Sequence, residues 1–260
     1  MSTTLGSAAS FFDVPTTPTT TTAGDVDLPI KYYDGTAVIA TFIGDPDGVN
    51  AALDGTGLTP ALHVGRRPVV AIGLFDYRHT EIGAYREVGL AIPVVPHARR
   101  FGIAGWLQLY RRPTSRADGM YVVDLPVTTQ IACTAGIEIW GFPKFVTEIA
   151  VDLGNGHLEA NVDDPGGTNI MRLTGPARRV LPTPPLHLVT YCDGTGRVVC
   201  ANIEVRNAMR THAPANVRLT IGPSTHRMAE NLRSLGLDGA RPFLVVSTTR
   251  FQSLLNAPLS

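Results

Sequence analysis

The chain has 260 residues, 44% of them hydrophobic and 17% charged, with a formal net charge of zero. That length suits one large domain or two small ones, and the apolar content is enough for a sizeable core. The neutral balance excludes the sequence-independent electrostatics by which nucleic acid or an anionic membrane would be held, so neither is expected as a partner. The charged fraction is below the ~25% of an average soluble domain, which predicts surface covered by a second copy of the chain, a homo-oligomer. Three cysteines, Cys133, Cys192 and Cys200, form no CxxC pair and no metal-like spacing. A reducing cytoplasm is the compartment they fit, with no metal. The N-terminus lacks a signal-peptide pattern, and no apolar run approaches the ~18 residues of a membrane helix.

Residues 1–27, with "PTTPTTTTAGD", read as a flexible Thr/Pro-rich arm, followed by one domain over 28–260. Strands are predicted at 36–45, 67–77, 85–95, 119–127, 144–153, 157–163, 186–193, 197–206 and 242–250, with Gly, Pro and Asp-Gly turns between them. "DGTG" at 193–196 is a hairpin signal. Three helices are predicted: 45–53, begun by Asp45 with Pro46 at its first position; 128–140, capped by Thr128 and ended by Gly141; and 224–237, capped by Ser224. Many antiparallel-type strands and few short helices make the fold class α+β, a large curved sheet.

GxSxG, HExxH, Walker and dinucleotide motifs are all absent from the sequence. What stands out is "GIEIWGFPKFVTEIAV", which holds Lys144, one of only two lysines beside twenty arginines. An apolar surround disfavours an ammonium and suits a nucleophilic amine. The alternative is a lysine at a strand's start, its stem packed on Trp140 and its amine in water. On a strand, Lys144 and Val146 share one face and Phe145 takes the other, leaving Trp140 and Phe142 as walls for the amine. Glu87 shares a strand face with Tyr85, Gly89 and Ala91, and that face has open space beside the carboxylate. Glu138 lies at a helix C-terminus, where a negative charge opposes the macrodipole and calls for a partner.

"AYREVGLAIPV" followed some fifty residues later by "GIEIWGFPKFV" resembles the acetoacetate decarboxylase family over roughly residues 28–257. The resemblance implies a cone-like, mostly antiparallel β-barrel, an oligomer, no cofactor, and a lysine that forms a Schiff base with a small-molecule carbonyl substrate. It also implies a lysine activated by desolvation or a neighbouring cation, for which acetoacetate decarboxylase is itself the standard example. By position, Lys144 matches the imine-forming lysine, Glu87 the acid–base residue and Glu138 a supporting glutamate. The sequence departs from the family where a second lysine is replaced by Phe145, an arginine by Ile137, and a pocket glutamate by Ile72. The expected site is therefore Lys144, Glu87 and Glu138 with an apolar substrate-binding wall of Trp140, Phe142, Phe145, Tyr85 and Trp106, and Tyr77 alongside. A larger, apolar 3-oxo acid suits it. Aldol condensation, dehydration or cyclisation in specialised metabolism, and a non-catalytic barrel that binds an apolar ligand, are the alternatives.

Overall fold

The structure, a computed structural model, describes residues 9–96, 111, 113–115, 118–154, 156–178, 181–193, 198–212 and 216–259. The "DGTG" turn lies, apart from Asp193, outside these residues. The frame is a ring of strands in which β3 (Ile30–Ile43) is shared. One edge of β3 pairs antiparallel with β6 (Arg67–Thr80) along almost its whole length. Its other edge is divided: Ile30–Tyr32 pair with β19 (Ser253–Leu259), and Ala37–Thr41 with β18 (Leu244–Thr248). From β19 the path runs through β15 (Val198–Val205), β14 (Leu188–Asp193), β8 (Gly119–Val127) and β7 (Tyr85–Pro96), and returns to β6. All of these joints are antiparallel except β14–β8. Short strands β4 (Leu58–Pro60) and β5 (His63–Val64) extend β7 and β6, and β13 (Leu181–Thr183) and β16 (Met209–His212) branch from β18.

A second, four-stranded sheet comprises β10 (Ile149–Gly154), β11 (His157–Asp163), β12 (Asn169–Pro176) and β17 (Arg218–Ile221). It covers one side of the ring. Successive strand residues point to opposite faces, so β6 and β7 are buried on both. Val70, Ile72, Leu74, Val88, Leu90 and Ile92 pack in the core shared with Leu158, Met171 and Leu173 of the second sheet. Fully burying a side chain such as Leu74 or Leu90 contributes about 1.5–3 kcal/mol. The intervening residues, Phe75 and Tyr77 among them, face the ring interior, where they join Val122 of β8 and Phe251 in a second cluster. Double burial is why these segments read as near-continuous apolar runs.

The predicted strand at 36–45 begins six residues earlier, at Ile30. Asp34-Gly35 suggested a turn; instead the β3–β6 register shifts there and the strand continues. An irregularity of this kind bends a strand without ending it. Strands β12 and β19 went unpredicted because Gly175, Asn256 and Pro258 interrupt their patterns. The predicted strand 144–153 is two, β9 (Lys144–Val146) and β10, broken at Thr147–Glu148. The expected arm is also partly ordered: β1 (Thr17–Thr21) and β2 (Gly24–Leu28) form a hairpin, and Val26 and Leu28 are buried in the core. Alternation at 26 and 28 ties it down where composition alone suggested mobility.

Besides α1 (Ala9–Phe12), the helices are α2 (Pro46–Leu53), α3 (Gln130–Ala135) and α4 (Arg227–Ser234). Asp45 caps α2 as expected, its Oδ1 accepting from the N–H groups of Asp47 and Gly48 at 3.1 and 3.0 Å, worth about 1 kcal/mol. On α4 the cap is His226, since Ser224 is engaged with Asp164. Asp124, fully buried on β8, accepts from Arg227 at 2.9 Å and Asn231 at 2.7 Å and so ties α4 to the ring. Burial raises its carboxyl above the usual range, against the pull of these partners.

Helices α2 and α4 meet at Gly48, where an added Cβ would stand 1.9 Å from the Ser234 carbonyl oxygen. In an open helix Gly→Ala gains about 1 kcal/mol. Here the sign reverses: Gly48→Ala is expected to cost about 1–3 kcal/mol by overpacking. Urea unfolding checks this through a lowered midpoint at unchanged slope.

Candidate active site

The predicted helix 128–140 is α3 followed by a π-turn over Gly136–Trp140, with Thr129 rather than Thr128 at its start. Gly141 ends it in the left-handed region at φ 72°, where glycine carries no steric cost. The N–H groups of Gly141 and Phe142 close the turn on Ile137 O and Gly136 O at 2.9 and 3.0 Å. Pro143 then directs the chain into β9, parallel to β8 with Lys144 opposite Leu125. The lysine stem lies on Gly136: a Cβ there would fall 2.5 Å from Lys144 Cδ and Cε.

Lys144 Nζ donates to Glu87 Oε2 at 2.7 Å, and the two side chains are 6% and 12% exposed. Tyr77 donates to the other glutamate oxygen at 3.4 Å. The Tyr32 and Tyr85 hydroxyls pair at 3.0 Å beside them. The amine lies 5.9 Å from the ring centroids of both Tyr85 and Phe142. Burial pushes the phenols of Tyr32, Tyr77 and Tyr85 well above their ordinary range, and the Glu87 charge adds to the rise in each. They are therefore hydrogen-bond donors at neutral pH.

This pair opens onto a cavity of ≈ 90 Å³ inside the ring. The inward row of β7, Glu87, Gly89 and Ala91, lies directly beside the inward row of β6, Phe75, Gly73 and Ala71, so the two paired strands form one wall of it. Among the described residues Lys144 and Glu87 are the only charged groups in its wall. The arrangement can do acid–base chemistry at one end of an oily space. Proton transfer along the 2.7 Å hydrogen bond exchanges an ion pair for a neutral pair without changing the charge of the chamber.

Of the candidates, Lys144, Glu87 and Phe142 line the chamber together, with Glu87 in direct contact with the amine; the others divide. Glu138 is not in the chamber. The π-turn carries Ile137 and Glu138 outward, and the Glu138 carboxylate accepts from the hydroxyl and the N–H of Thr22 in the β1–β2 turn, which holds its carboxyl below the usual range. Trp140 stands behind the wall, stacked on Phe142 with its indole N–H donating to Asn256 O at 3.0 Å. Phe145 points to the opposite face, against His226 in the core under the second sheet. Tyr85 is buried beside the ion pair rather than in the cavity wall. Trp106 lies outside the described residues. Ile72 faces the same outer core as Leu74, so the chamber-facing neighbours on that strand are Ala71 and Gly73. Sequence reasoning missed Tyr32, Phe251, Ser253 and Leu255. The last three come from the segment around β19, whose pattern Pro258 obscures.

The sequence profile described as acetoacetate decarboxylase (ADC) matches residues 13–225, and the chain belongs to that family. No curated protein sequence matches it. Among solved structures, acetoacetate decarboxylase from Legionella pneumophila subsp. pneumophila is similar over 100% of this chain and 98% of its own, at 15% identity and a TM-score of 0.62. The enduracididine biosynthesis enzyme MppR complexed with pyruvate matches over 90% of this chain and 91% of its own, at 14% identity and TM-score 0.60. An acetoacetate decarboxylase-like enzyme from Sphingomonas wittichii RW1 matches over 90% and 94%, at 15% and 0.59. At these identities the likeness is one of fold.

Removing one partner of a buried ion pair leaves the other uncompensated, whereas removing both is often neutral. Lys144→Met and Glu87→Gln should therefore each lower stability by about 3 kcal/mol. The double variant should return to the wild-type value or exceed it. Urea unfolding of the four proteins checks this; additive losses would contradict it.

Proposed function

We propose that this chain is a Schiff-base lyase that decarboxylates an apolar 3-oxo acid through Lys144. The observation that carries the reading is the 2.7 Å contact between Lys144 Nζ and Glu87 at the end of an otherwise apolar chamber. Glu87 takes a proton from the ammonium, and Nζ then attacks the ketone carbon. One proton shifts from nitrogen to the alkoxide to give the carbinolamine, and Glu87 returns the other to its hydroxyl, which leaves as water and gives the iminium. The bond to the carboxylate breaks, its electron pair passes to the iminium nitrogen, and CO₂ departs. Glu87, with Tyr77 behind it, takes from solvent the one proton that decarboxylation consumes and passes it to the enamine carbon, and water hydrolyses the resulting iminium to free Lys144. A carboxylate in this chamber meets no cation besides Lys144 among the described residues, while neutral CO₂ sits there without penalty.

Alternatively the same iminium loses an α-proton to Glu87, and the carbon of the resulting enamine adds to a second carbonyl compound. That reading has support from the solved MppR structure complexed with the condensation product of pyruvate and imidazole 4-carboxaldehyde, and from the sparse provision for a substrate carboxylate here.

Incubation with a panel of 2- and 3-oxo acids and borohydride, followed by mass mapping, is expected to place the adduct on Lys144 and none in Lys144→Ala. CO₂ release and carbon-chain products separate the two reactions. Glu87→Gln should slow turnover by about 10²–10⁴-fold. Glu138→Ala, which lies outside the chamber, should leave it unaltered. Labelling of Lys31 alone, or an unchanged rate in Glu87→Gln, would overturn the assignment.

A further inference from the structure

The chamber at Lys144 does not end the space inside the ring. A second cavity of ≈ 90 Å³ adjoins it, and Ile39, Met120 and Leu188 line both. The far walls of the second are apolar: Leu62, Pro93, Leu186, Leu244 and Val246. Its polar groups are already occupied. Thr41 donates to Leu244 O at 3.0 Å, and His187 Nδ1 accepts from the Val205 N–H at 3.1 Å. A ligand entering this space finds mainly apolar contact.

The two cavities follow one strand. On β7, Glu87, Gly89 and Ala91 line the first and Pro93 the second. At about 3.3 Å per residue, Glu87 to Pro93 spans about 20 Å. Ile39, Met120 and Leu188 form the divider between the two, and the unbranched thioether of Met120 adapts readily to a neighbour. Ala and Gly at 71, 73, 89 and 91 clear the approach from the lysine.

We propose that the second cavity is a tail-binding subsite, and that the carbonyl compound taken by Lys144 carries an unbranched, medium-length alkyl chain that passes Met120 to reach it. The inference rests on the imine reading of Lys144 and adds the substrate's shape to it. A branched or bulky ring substituent would meet the Ile39–Met120–Leu188 divider, whereas a linear chain passes side-on.

The test uses the methyl ketones butanone, 2-hexanone and 2-nonanone as probes, with two readouts. The first is borohydride trapping at Lys144 in the full-length protein. The half-saturating concentration is expected to fall by about fourfold per added methylene. Val246→Phe and, separately, Leu186→Phe should each cut the preference for nonanone over butanone by about tenfold, because the added ring carbons take up space the end of the chain would occupy. The second readout is ligand-induced thermal stabilisation of Lys144→Met, which needs no chemistry. There 2-nonanone should raise Tm more than butanone, and Val246→Phe in that background should narrow the difference. Equal response to all three ketones, or a chain-length preference untouched by both blocking variants, would overturn the subsite. Failure of every ketone to label Lys144 would sink the imine reading alone, because the thermal series in Lys144→Met still decides the subsite.

Discussion

The contact between Lys144 and Glu87 is the constraint around which the site is arranged. Two opposite charges, both largely withdrawn from water, are tolerated only if they meet with good geometry. Meeting requires that β7 and β9 hold a fixed register to each other, and β8 supplies it, antiparallel to one and parallel to the other. It also requires that the lysine stem take a single path. Gly136 provides that path by having no side chain, and the π-turn that follows brings Phe142 and Pro143 round to start β9. Helix irregularities of this type recur at functional sites. Here the reason is visible: the wider turn carries the chain from α3 to the lysine over a short, tightly bonded connection.

The ring depends in turn on β3. Its fourteen residues serve β6 on one side and both β18 and β19 on the other. A strand with every edge occupied and both faces buried has little freedom, and the chamber wall it contributes is correspondingly fixed. The second sheet and α4 fill the outer side, with Asp124 anchoring the helix to β8. The interior is thus free to keep empty space, because the stabilising burial lies on the other face of the same strands.

Much of this was legible in the sequence through the alternation of single segments. In "YREVGLAIPV" the even positions are large and the odd ones hold Glu, Gly and Ala, which placed Glu87 beside open space. Lys144 was marked by its rarity and its aromatic neighbours. Glu138 was misplaced because its position was read on an ordinary helix, and nothing in "GIEIW" announces a π-turn. Phe145 and Trp140 were taken as chamber wall on proximity in sequence, whereas the strand pleat and the stack on Phe142 direct them elsewhere. The β1–β2 hairpin was hidden by its Thr/Pro composition, although Val26 and Leu28 carry the two-residue period that buries it. Phe251, Ser253 and Leu255 could not be assigned to the chamber, since their placement depends on pairing with strands more than two hundred residues away.

The chamber owes its volume to atoms that the sequence leaves out. At Gly73 a Cβ would fall 2.8 Å from the Phe75 ring, and at Gly89 it would fall 3.3 Å from Leu125. Phe75 and Leu125 already lean into the room those glycines vacate. A lineage adapting this scaffold to a bulkier molecule therefore has only the methyl groups of Ala71 and Ala91 left to trim on the floor of the chamber. Divergence in what the fold accepts must be written in the large residues that overhang it, Phe75, Met120, Leu125 and Phe251, where a single codon change can remove several carbons. The glycines would stay as the fixed background against which such variation is read.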